Sequence, residues 1–161
     1  MSVEFSPEAR KRLEGLLGQY PNPRAALLAV LRFAQEEFGH VSPEVEGYLA
    51  DLLQIPPAAV REVVSFYTLL HTTRPGTHVI HLCRNLACHL RRGGEIREHV
   101  ERKLGIQTGE TTADGRFTLL DSECLGGCEI APMMEVDGEY YGPLTPEYVD
   151  EILNPLLLGS R

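Results

Sequence analysis

The sequence predicts an α+β protein, with a helical bundle over residues 1–72 and a mixed sheet with flanking helices over residues 77–161. Up to residue 72 apolar side chains recur at helical spacing, whereas from residue 77 short β-prone runs alternate with helical ones. A Ser/Thr-Pro-Glu triplet occurs three times, as Ser6-Pro7-Glu8, Ser42-Pro43-Glu44 and Thr145-Pro146-Glu147. Each supplies a hydroxyl N-cap, a proline at the first helical position and an acid in the first turn, so each is expected to open a helix.

The first helix follows Pro7, carries Ala9, Leu13, Leu16 and Leu17, and stops at Tyr20-Pro21-Asn22-Pro23. A second covers about residues 24–38 and ends at Gly39, a favoured C′ residue. A third runs from Pro43 to Leu53, and a fourth starts at Pro56-Pro57 and carries Val60, Val63, Val64, Phe66 and Tyr67. After Pro75-Gly76, the run from Thr77 to Leu82 reads as a strand that ends against Cys83. Residues 93–104 form a helix with Ile96, Val100 and Leu104 at spacing four and Gly105 as its stop. Phe117–Leu120 is a second strand leading toward Cys124. Pro132 precedes a third, Met133–Val136, which turns at Asp137-Gly138 into Glu139-Tyr140-Tyr141 as a hairpin. The last helix begins at Pro146 and is expected to end near Asn154-Pro155.

Composition bounds the function. The chain has 161 residues, 43% hydrophobic and 24% charged, and lysine plus arginine number 15 against 23 acids, for a net charge of −8. That balance argues against nucleic acid and anionic membrane surfaces as partners. No apolar stretch approaches the roughly 20 residues of a membrane span, and Met1-Ser2-Val3-Glu4-Phe5 lacks a secretory layout, so no direct membrane insertion and a cytoplasmic location are expected. In a reducing compartment four closely paired cysteines point to metal ligands or redox thiols before structural disulfides.

The cysteines form C-x4-C (Cys83, Cys88) and C-x3-C (Cys124, Cys128), each pair at the end of a predicted strand. Loops leaving one edge of one sheet can present four thiolates to a single centre. Structural zinc most often takes C-x2-C knuckles, while C-x4-C belongs to plant-type [2Fe–2S] spacing, which favours an iron–sulfur cluster. Gly126 and Gly127 would let the backbone approach such a cluster and aim N–H groups at it. His81 and His89 lie near the first pair, but four cysteines already complete the coordination. A structural zinc ribbon and two disulfides remain as alternatives, whereas a thioredoxin-type C-x-x-C is absent.

The two pairs are separated by thirty-five residues. With Cys124-Leu125-Gly126-Gly127-Cys128, Ala131-Pro132-Met133-Met134, Gly138-Glu139-Tyr140-Tyr141, Leu144-Thr145 and Val64-Ser65-Phe66-Tyr67, the chain resembles the 24-kDa flavoprotein subunit family of respiratory complex I (NADH-quinone oxidoreductase) over nearly its whole length. The resemblance implies an N-terminal helical bundle joined to a thioredoxin-like [2Fe–2S] ferredoxin domain, with Cys83, Cys88, Cys124 and Cys128 as cluster ligands. It also implies a heterodimer, within a larger complex, with a flavoprotein subunit that binds FMN and NAD(H) and oxidises the nicotinamide. This chain would then be a non-catalytic electron-transfer subunit on the cytoplasmic side of the inner membrane.

No dinucleotide fingerprint, P-loop or nucleophile–base set is present, and the six histidines are scattered, in keeping with a relay that has no active site of its own. The same subunit could serve a soluble NAD-linked formate dehydrogenase, hydrogenase or bifurcating complex, and a zinc-stabilised interaction module is the alternative from another class. Two charge features carry further expectations. Arg84, beside Cys83, would be a cation that raises the cluster potential. Six bases against three acids over residues 84–103, and six acids with no base over 121–140, would give the two cysteine loops opposite rims for docking.

Overall fold

A computed structural model describes residues 3–159, which divide between Arg74 and Pro75 into two compact units. The first unit is all helical: α1 (Pro7–Leu17), α2 (Pro23–Phe38), α3 (Pro43–Leu53) and α4 (Pro57–Phe66). Ser6 and Ser42 cap as their triplets predict, accepting from the Ala9 and Val45 N–H groups at 3.1 and 3.4 Å. Leu27, Val30, Leu31, Val45, Leu49 and Val60 fill the core, and Phe5 closes it by stacking on Phe38 at 4.9 Å and tilting against Phe33 and Tyr48. The fourth helix ends one residue earlier than its apolar pattern implies. Tyr67 has left helical geometry (φ −93°, ψ 105°), and its N–H still reaches the Val63 carbonyl.

The second unit is a four-stranded sheet with helices packed on it. Its elements are β1 (His78–Cys83), α5 (Leu86–Leu90), α6 (Gly93–Leu104), β2 (Phe117–Ser122), β3 (Met134–Val136), β4 (Glu139–Tyr141) and α7 (Pro146–Leu157), in the strand order β2-β1-β3-β4. β1 and β2 run parallel, with α5 and α6 in the crossover that a parallel pair requires, and β3 and β4 close the sheet as an antiparallel hairpin. Ile80 and Leu82 of β1, Phe117 and Leu119 of β2, and Met134 and Val136 of β3 face Ile96 and Val100 of α6 and Val149 and Leu153 of α7.

In this unit β1 and β3 shift by one residue from their sequence reading, and three elements differ more. The five-residue α5 is too short to show periodicity, and Asn85, whose side chain accepts from the Leu86 N–H at 2.8 Å, starts it. β2 extends two residues further, to Ser122. The last helix does not stop at Asn154-Pro155 but runs through Pro155 to Leu157. Pro155 has no N–H to give the Glu151 carbonyl and its ring crowds that turn, a cost that interactions elsewhere must offset. The guanidinium of Arg116 meanwhile donates to the carbonyls of Leu156 and, at 2.9 Å, Leu157, and Leu156 is buried. That capping side chain comes from about forty residues away, so no local pattern announces it. No helix among the described residues is long and apolar enough to cross a membrane.

Candidate metal centre

The parallel register of β1 and β2 sets the centre. Cys83, the last residue of β1, lies opposite Ser122, the last of β2, so the loops carrying the two cysteine pairs leave the same edge of the sheet. Side chains alternate along β1, and Ile80 and Leu82 fill the sheet core. Cys83 lies one step out of phase with them and joins a separate small cluster with Cys88, Ala131 and Met133, against which Ala87, Leu125 and Ile130 pack.

C-x4-C is read by α5. The chain leaves Cys83, turns at Asn85 and winds one helical turn, which returns Cys88 to the side of Cys83 in one buried cluster. Burial, then the neighbouring Cys83 thiol, pushes the Cys88 thiol up to about 11, with the charge of Cys128 adding to the rise and the Met133 backbone opposing it. Cys128 acts electrostatically on Cys88, in keeping with two loops that leave the same edge of the sheet. Cys124 and Cys128 are exposed, and all four cysteines are free thiols, so the disulfide alternative does not describe this state. Among the described residues no three His, Cys, Asp or Glu side chains are grouped to hold one metal ion.

The glycines do more than one task. Gly126, at φ +78°, occupies the left-handed region where side chains are strained, and its N–H points at the Cys124 sulfur at 3.4 Å. Gly127 makes room for a neighbour: a Cβ there would sit 2.9 Å from the Met133 sulfur. The adjacent methionines therefore separate, Met134 into the sheet core and Met133 into the cysteine cluster, where its carbonyl accepts from the Cys83 N–H at 3.3 Å. Gly142 lies closest of all to its surroundings, since a Cβ would fall 2.1 Å from the Ile130 carbonyl oxygen, just beyond the turn Cys128–Ile130.

The expectation of a free cation at Arg84 is corrected. Its guanidinium grips Glu123 through Nε, at 3.0 Å from Oε2, and through Nη2, and Glu123 holds the guanidinium more firmly protonated than usual. Asn85 Nδ2 donates to the Glu123 carbonyl, and the Arg84 N–H donates to the Ser122 carbonyl, both at 3.0 Å. Arg97 pairs with Asp121 at 2.7 Å. Two bases of the first stretch thus pair with two acids of the second, Arg84 with Glu123 and Arg97 with Asp121, which a charge count sets apart as separate rims. His81 is engaged too, its Nδ1 lying 2.9 Å from Glu135 Oε2. Sequence reasoning missed Glu123, Met133 and Gly142; the glutamate directly before Cys124 was the signal available for the first.

These residues fit a [2Fe–2S] cluster. The donor set is four thiols from two loops on one sheet edge, two of them buried beside each other where, as thiolates, they would call for a compensating positive charge. Iron would provide that charge, and a dinuclear cluster draws two thiolates to each metal rather than gathering them at one point.

Comparison with known proteins agrees with the geometry. A model of the thioredoxin-like [2Fe-2S] ferredoxin family matches residues 13–157. The chain is 39% identical, over 152 residues covering 94% of it and 90% of the relative, to an E-type NADH-quinone oxidoreductase subunit of Rhizobium meliloti (strain 1021). It is 38% identical to the E-type NADH-quinone oxidoreductase subunit of Escherichia coli (strain K12), over 94% of this chain and 92% of that one. In fold it is similar to a chain of an NAD+-reducing [NiFe]-hydrogenase crystallised in the air-oxidized state, with a TM-score of 0.71 at 23% identity over 83% of this chain and 23% of the other.

Proposed function

Because the chain belongs to the thioredoxin-like [2Fe-2S] ferredoxin family, we propose that Cys83, Cys88, Cys124 and Cys128 hold one [2Fe–2S] cluster and that the protein exchanges single electrons with the FMN of a partner NADH-oxidising subunit. The observation that carries this reading is the parallel register opposing Cys83 to Ser122, from which both cysteine loops depart on one edge. Identity of 38–39% to E-type subunits of NADH-quinone oxidoreductase over nearly full length favours that complex as the setting. The chain would act there in electron transfer, peripheral on the cytoplasmic side of the membrane, with a helical bundle over residues 1–72 and the cluster domain over residues 77–161.

The cluster supplies one-electron chemistry when bound. The chain's own residues divide the remaining work. Cys83 and Cys88 anchor the buried side against Ala131 and Met133, which exclude water, and Gly126 directs an N–H at a ligand sulfur. Cys124 and Cys128 lie on the exposed loop, the side open to a partner.

The test is to co-express the chain with a candidate NADH-oxidising FMN subunit encoded in the same genome, purify the pair and add NADH anaerobically. The expected result is a stable heterodimer whose cluster absorbance bleaches on NADH addition. A flavoprotein that neither binds this chain nor reduces it would overturn the proposal. Copurification with a formate dehydrogenase or hydrogenase subunit would instead place the same module in a soluble NAD-linked complex.

A further inference from the structure

The geometry points to a charge-neutral clasp at the centre: Arg84 and Glu123 fasten the two cysteine loops to each other while cancelling each other's field on the group those loops hold. This rests on the reading of the four cysteines as ligands of one diiron cluster. Arg84 directly follows Cys83 and Glu123 directly precedes Cys124, so each charge is one residue from a ligand on a different loop. The side chains meet through two contacts, Nε to Oε2 at 3.0 Å and Nη2 to Oε1. Beneath them the Asn85 amide donates to the Glu123 carbonyl and the Arg84 N–H to the Ser122 carbonyl, so the fastening reaches from side chain to backbone on both loops.

Exposure decides how strong this can be. The two side chains are 50% and 75% exposed, and an isolated pair of that kind contributes little because water and salt screen it. The forked geometry and the adjacent Asn85 bond set this pair apart from the looser contacts along α6 and its N-cap, Arg92–Glu95 at 3.8 Å and Arg102–Glu98 at 3.7 Å, which join no separate segments. A modest mechanical effect together with a distinct electrostatic signature is therefore expected. Removing the guanidinium leaves an unbalanced carboxylate beside the cluster and disfavours its reduced state; removing the carboxylate leaves an unbalanced cation and does the reverse.

The experiment uses the full chain loaded with iron and sulfide, and reads the rate of visible bleaching under excess EDTA and the midpoint potential by dye titration. Arg84→Gln is expected to lower the potential and Glu123→Gln to raise it, while the double variant returns it close to wild type. All three should release the cluster faster, by up to about fivefold at low ionic strength, the ceiling for an exposed pair. The swap Arg84→Glu with Glu123→Arg should recover much of the lost retention, and Arg84→Lys should keep the potential while releasing faster, because lysine keeps the charge without the fork. Shifts of the same sign in both single variants, or release rates indistinguishable from wild type, would overturn the clasp. A wild-type chain that takes up no iron would instead overturn the ligand assignment beneath it.

Discussion

Replacing Gly142 by alanine tests how tightly the second cysteine loop is held. The added Cβ would lie 2.1 Å from the Ile130 carbonyl oxygen and 3.1 Å from that of Pro132, both backbone atoms that no rotamer change can move. On the far side, Leu144 N–H donates to the Pro132 carbonyl at 2.8 Å, so residues 142–144 cannot swing away without losing that bond. Relief requires about 1 Å of displacement in one backbone or the other, and Ile130 ends the turn that starts at Cys128. Overpacking of this kind costs about 1–3 kcal/mol, and a backbone-to-backbone clash belongs at the upper end. For a unit of this size, about 3 kcal/mol lowers the melting temperature by about 12 °C or more. The assay is thermal unfolding followed by circular dichroism, together with iron content per chain, and both should fall in Gly142→Ala. A variant that melts within about 3 °C of wild type and binds iron fully would refute the claim that this close approach fixes the cysteine loop.

Gly47→Ala provides the opposite case: Gly47 lies inside α3 with no atom near a new Cβ, so the change should stabilise the bundle by about 0.5–1 kcal/mol in urea denaturation. Glu46 is buried with Oε1 lacking a hydrogen bond, and burial raises its pKa against the opposing pull of Arg61, which lies 3.0 Å from Oε2. A raised folded pKa gives stability that is present below the usual carboxylate value and lost as pH rises through the folded one. Glu46→Gln should therefore raise the urea midpoint at pH 7, with the gain vanishing toward pH 4. Asp150 behaves in the reverse sense, its pKa lowered first by the hydrogen bond from Lys103 and then by that from His99. Its contribution is present above the usual aspartate value and lost as pH falls through the depressed one, so Asp150→Asn should be less stable than wild type at neutral pH and the deficit should disappear in acid.

Much of the fold was legible because its signals are local. Three capped triplets opened three helices where the sequence placed them, and Asp137-Gly138 turned the hairpin. The candidate site was legible as far as each cysteine pair standing at a strand end, C-x4-C beginning on the last residue of β1 and C-x3-C just after β2. What escaped depends on partners distant in sequence. Arg116 extends α7 past Pro155, Glu123 neutralises Arg84, and Gly127 directs Met133 into the cysteine cluster while its neighbour enters the sheet core. A charge count along the chain treats Arg84 and the acids of residues 121–140 as separate rims, and only the parallel register that brings β1 beside β2 shows that they pair.

The most direct test of the central claim is quantitative EPR of the dithionite-reduced full chain, with iron, sulfide and zinc measured on the same sample. Two irons and about one unpaired spin per chain are expected, with colour and signal greatly weakened in Cys88→Ala and in Cys124→Ala, one ligand from each loop. One zinc per chain with no signal, or full colour retained in both variants, would contradict a single cluster shared between the two loops.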